Sequence, residues 1–144
     1  MDEPEDPRRE LDDTMRQIAE STGGTLHIYP RPGEAVRRVV LQDVSNENGN
    51  RYEDVAIETD GTIRVTGHDT GPGVSNVFGP EITSYEWVYV VPPERVASLV
   101  EALGGRDGDD PVDLLAAYYQ RTRGVLYHLL TSPPVNASFD NWHS

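Results

Sequence analysis

The chain has no cysteine and no lysine among its 144 residues. Without cysteine, disulfides and thiolate metal sites are excluded, and a reducing compartment is the natural setting. Long apolar runs are also missing. No window approaches the ~20 consecutive apolar residues of a membrane helix, so no membrane association is expected. The opening MDEPEDPRRE is the opposite of a secretory leader, and a cytoplasmic location is expected. All 12 basic residues are arginine, which fits a GC-rich genome and reflects codons rather than function. Set against 25 Asp and Glu, they leave a formal charge of -13. Phosphate binding needs clustered Lys or Arg, so nucleic acid is not an expected partner. A basic protein partner is compatible with this charge, because complementary potentials speed encounter. The plainer alternative is that excess acid keeps the protein soluble.

Catalytic and cofactor signatures are scarce. His27, His68, His128 and His143 form no HxH or HxxxH pair, so a metal site would need distant segments to converge, and none is expected. The glycines fit neither a strand–GxGxxG–helix nor a Walker pattern, so no phosphate cradle and no cofactor are expected. The oligomeric state is left open.

What is present is the patterning of one α+β domain spanning 1–144, long enough to bury a core without staples. Residues 1–6 read as a mobile lead-in. Leu11, Met15, Ile18 and Ala19 share one helical face, giving a helix over about 7–21 that stops at Gly23-Gly24. Thr25–Tyr29 reads as a short strand ended by Pro30 and Pro32, and Arg37–Val44 as another, with Ser45–Asn50 as a turn. Tyr52–Thr59 and Thr62–His68 form the clearest hairpin around Asp60-Gly61. A strict two-residue turn would misalign Val55 and Ile57 with Ile63 and Val65, so a bulge near the turn is one solution.

Gly67–Gly79 reads as a loop whose Gly71-Pro72-Gly73 centre excludes regular structure. Thr83–Val91 is a strong strand with Tyr85, Trp87, Tyr89 and Val91 on one face. That aromatic stripe can anchor a partner, but in a central strand it is expected to be core, with Trp87 the first of the three expected to be buried. A helix follows Pro92-Pro93-Glu94, carrying Val96, Leu99, Val100 and Leu103 on one stripe. A second helix starts at Asp110-Pro111 and runs towards Thr131, ended or interrupted at Gly124. The tail from Val135 holds Phe139 and Trp142 and is expected to dock. The expected architecture is an antiparallel sheet of four to five strands, with two C-terminal helices on one face and an N-terminal helix.

The run of His68-Asp69, Gly71-Pro72-Gly73, Phe78-Gly79, Tyr85-Glu86-Trp87 and a capped helix ending Leu103-Gly104 resembles small acidic actinobacterial proteins. In size and acidity these are similar to the immunity proteins that neutralise bacterial toxins. The likeness spans the hairpin to the C-terminal Trp142. It implies protection by binding a toxin-like partner, and not catalysis.

Two candidate sites follow. Glu47, Glu53, Asp54, Glu58 and Asp60 crowd one hairpin and could steer and clamp a basic partner. Asp54 and Glu58 share parity and Glu53 has the other, and a solvated strand face is the plainer reading. His68 and Asp69 follow a strand, where a His-Asp pair could orient a general base in a small ligand-binding domain or enzyme. The simpler alternative is that Asp69 and the glycines shape a turn.

Overall fold

The computed structural model describes residues 33–144. The helix expected over 7–21 and the strand over Thr25–Tyr29 lie outside the described residues. Five strands form one antiparallel sheet in the order β1 (Ala35–Asn46), β2 (Gly49–Glu58), β3 (Ile63–Thr70), β4 (Ser84–Val91) and β5 (Ser138–His143). Helix α1 (Pro72–Phe78) joins β3 to β4. A turn of 3-10 helix at Pro93–Arg95 leads into α2 (Val96–Ala102), followed by α3 (Pro111–Thr122) and α4 (Tyr127–Thr131). The α+β class and the C-terminal helical cover are as expected.

The β2–β3 turn solves the register problem with one extra residue. Gly61 N–H donates to Glu58 O and Glu58 N–H to Thr62 O, while Gly61 sits at φ 94. This is a tight turn closed by a glycine bulge, a conformation that penalises a Cβ. It pairs Val55 with Val65 and Ile57 with Ile63. Residues 55, 57, 63 and 65 thus share one face, and Val55, Ile63 and Val65 are fully enclosed. A second bulge lies in β1, where Val40 pairs with Asp54 but Gln42 pairs with Glu53. Leu41 is the extra residue, and both Leu41 and Gln42 turn towards the helices.

Below that face lies the core: Val55, Ile63, Val65, Tyr89 and Val91 from the sheet meet Leu99, Val112, Leu115 and Leu130 from the helices and Leu126 just before α4. Each such burial contributes about 1.5–3 kcal/mol. Helix α3 is well started: Asp110 accepts from Val112 N–H at 2.8 Å, and Pro111 occupies the first turn, where its missing N–H costs nothing. Arg37 of β1 ties that end to the sheet through Asp110 and Asp113. The helix stops at Arg123, which takes a left-handed conformation before Gly124.

Three expectations need correction. The Gly71-Pro72-Gly73 stretch begins a helix instead of forbidding one. Gly71 (φ 103) makes the bend, and Pro72 suits the first helical position. The C-terminal tail does more than dock, because Ser138–His143 pairs with β4 as a fifth strand. Trp87 is only half-buried, whereas Tyr89 and Val91 two and four residues on are enclosed.

Candidate functional site

The helix-bearing face of the sheet is ordered in rows that cross the strands. One row is Arg37, Ile57, Ile63 and Val91, and the next is Val39, Val55, Val65, Tyr89 and Phe139. Apart from the exposed Arg37, both lie in the core or against it. Beyond them run Gln42, Glu53, Gly67, Trp87 and Asn141, then Val44, Arg51, Asp69, Tyr85 and His143. Here the described helices no longer cover the sheet. Two adjoining hollows of about 580 Å³ and about 300 Å³ occupy the space, sharing Gln42, Arg51, Asp69 and Tyr85. Together they make a trough. One end is walled by α1 through Val74, Val77 and Phe78, and the other by the end of α3 through Tyr119 and Arg123.

The floor is held by polar contacts between rows. Arg51 donates Nε and Nη2 to the two oxygens of Asp69, both at 2.8 Å, a forked pair that fixes both planes. Trp87 Nε1 donates to Glu53 Oε2 at 2.8 Å, reaching from β4 across β3 to β2. The indole passes over Gly67, where a Cβ would lie 2.0 Å from Trp87 Cε2, so only glycine leaves room for it. Glu53 is 5% exposed, and burial raises its pKa above the usual carboxylate value. The hydrogen bond from Trp87 and the neighbouring Tyr119 hydroxyl offset part of that rise. Burial also pushes the Tyr89 hydroxyl up to about 12 and Tyr119 upward, with Glu53 adding to both, so neither phenol ionises at neutral pH.

An aromatic wall completes the trough. Phe78, Tyr85 and Trp87 stack in series with centroids 5.1 Å and 5.4 Å apart. Asn141 Nδ2 donates to the Tyr85 hydroxyl at 2.9 Å, which anchors the middle ring from β5. The opposite wall is the β1–β2 turn, braced by Gly73 N–H donating to Asn48 O at 2.8 Å.

The five hairpin acids do not form one patch. Glu53 belongs to the trough floor. Asp54 and Glu58 lie on the other face, where Asp54 pairs with Arg38 at 2.9 Å and accepts the Tyr52 hydroxyl at 2.8 Å, and Glu58 pairs with Arg64 at 3.3 Å. All three are buried, and only Glu47 and Asp60 stay exposed, in the turns at opposite ends of β2. His68 and Asp69 also part ways. Asp69 faces the trough and Arg51, while His68 on the other face lies 3.1 Å from Ser84 Oγ and 3.5 Å from Glu86. A His68–Asp69 base pair is therefore not assembled, because neighbouring strand residues point to opposite faces. Among the described residues, no three His, Asp or Glu side chains gather as a metal site would need. No described helix is long and apolar enough to cross a membrane.

Arg51, Trp87, Tyr119 and Arg123 were not singled out as one site by sequence. The only sequence signal for their meeting is the shared parity of Arg51, Glu53, Asp69, Tyr85 and Trp87. No family model, curated protein or solved structure matches this chain.

Proposed function

We propose that this domain is a binding module whose ligand lies in the trough between α1 and the end of α3. The observation that carries this reading is the preorganised floor: Arg51–Asp69 and Trp87–Glu53 are fixed in place by partners on neighbouring strands. Rigid polar groups beside aromatic walls in an open hollow are the usual makings of a ligand site. Asp69 and Gly73 line it, so the end of β3 and the start of α1 serve binding without a His-Asp base. The test is a fragment titration followed by amide and indole chemical shifts. Shifts should cluster at Arg51, Asp69, Tyr85 and the Trp87 indole, and Tyr85→Ala should weaken binding about ten-fold, equivalent to about 1.4 kcal/mol. Ligands that bind only outside the trough would overturn the reading.

A second reading is neutralisation of a basic, toxin-like protein, favoured by the formal charge of -13. With Glu53, Asp54 and Glu58 enclosed, steering falls to Glu47 and Asp60. Reversing both charges should slow association with a partner captured at low salt, and unchanged kinetics would remove their role.

A further inference from the structure

The larger hollow is neutral in a protein that is strongly acidic. Among the described residues that line it, only Arg51 and Asp69 carry charge, and they neutralise one another. An anion or cation entering it would give up water without meeting an unpaired opposite charge, which is costly. What the wall offers instead is amides. Gln42, Asn46 and Asn48 stand within seven residues of the β1–β2 hairpin, all lining the hollow. Each amide supplies donors and an acceptor, and each hydroxyl of a ligand does the same. Internal bonds use only part of that capacity: Asn46 Oδ1 accepts Asn48 N–H, while Asn50 turns to the other face, where its Oδ1 accepts Ser45 Oγ–H. The forked Arg51–Asp69 pair leaves Arg51 Nη1 outside its two bonds, and the carboxylate keeps spare lone pairs, so it presents a donor and an acceptor side by side.

Facing the amides is the aromatic wall of Phe78 and Tyr85. A ring face carries negative potential and attracts weakly positive C–H groups. One wall therefore suits hydroxyls and the other suits C–H faces. We propose, on the basis of the binding reading above, that the trough takes a neutral saccharide, with hydroxyls on the hairpin amides and Arg51–Asp69 and a sugar face against Tyr85. The volume of about 580 Å³ accommodates more than one sugar ring, and the adjoining hollow along Trp87 extends the path.

The full chain should be titrated with neutral di- to tetrasaccharides in gluco, galacto and N-acetylglucosamine series, with a neutral aromatic fragment set and short peptides in parallel. Binding is read from shifts of the Trp87 indole and the Asn48, Asn50 and Asp69 amides. The expected result is saturable saccharide binding, little changed by salt. Asn48→Ala and Gln42→Ala should each lower affinity about ten-fold, equivalent to about 1.4 kcal/mol, with an unchanged fold. Asn48 is exposed and Gln42 lies outside the apolar core, so neither variant threatens the fold. If fragments or peptides shift the trough residues and no saccharide does, the saccharide proposal falls and the binding reading stands. If nothing shifts them, both fall.

Discussion

The same strands carry two very different regions on one face. Under α2, α3 and α4, residues 55, 63, 65, 89 and 91 are enclosed in apolar contacts. In the next two rows, residues 42, 51, 69, 85 and 87 face a trough. The difference comes from length. β2 has 10 residues and spans about 33 Å, whereas α2 with 7 and α3 with 12 reach about 10 and 18 Å. The described helices are shorter than the strands, and the trough lies on the part of the sheet they leave open. Cover therefore decides chemistry: the dry region tolerates only apolar side chains, while the open region keeps Arg51, Glu53 and Asp69 on one surface.

This contrast can be broken first in the dry region. Leu115→Ala removes a fully buried side chain and should cost about 2–5 kcal/mol by denaturant unfolding. Gly67→Ala strikes the boundary. Its Cβ must displace the Trp87 indole, and a loss of about 1–3 kcal/mol is expected, with a moved indole N–H resonance. A normal indole resonance would contradict the packing described.

Glu53 sharpens the comparison through pH. Burial holds its folded-state pKa above the ordinary 4.5. The folded chain then keeps that proton more tightly than the unfolded chain. Its contribution to stability is full below the unfolded pKa and is lost as pH rises through the folded one. Glu53→Gln removes this titration while still offering an acceptor to Trp87. Its stability relative to the parent should therefore improve as pH rises from about 4.5 to 7, measured by unfolding at each pH. A constant difference would mean that Glu53 titrates as if exposed.

The smallest effects belong to the open surface. Asp69→Asn weakens a partly exposed ion pair and should cost about 0–1 kcal/mol, so any large loss of ligand binding would be a site effect. Glu47→Arg changes a turn residue in water and should leave stability within about 0.5 kcal/mol.

Sequence reading reached what depends on local pattern. The strand pairing of 52–59 with 62–68, the aromatic face of β4 and the Asp110-Pro111 helix start were all legible, because alternation, turn residues and caps act over a few positions. The parity that separates Glu53 from Asp54 and Glu58 was legible too. Their burial was not. Their partners Trp87, Arg38 and Arg64 lie 34, 16 and 6 residues away, and no local pattern reports such meetings. β5 was missed because Ser138–His143 mixes polar and aromatic residues without strong alternation, and it becomes a strand only when β4 offers an edge. The trough was invisible for a similar reason, since it depends on how far the helices reach.

Leu41 adds a last consequence. As an extra residue it acts on β1 as an insertion acts on a reading frame, and every position after it is read in the opposite phase. Downstream, Gln42 and Val44 are presented to the trough. In the unshifted phase Asp43 and Ser45 would stand there instead, because a one-residue slip exchanges the faces of a strand. A carboxylate without a partner would then enter a hollow whose two charges cancel. The neutrality of that hollow is written in the number of residues between Val39 and Val44, as much as in their identities.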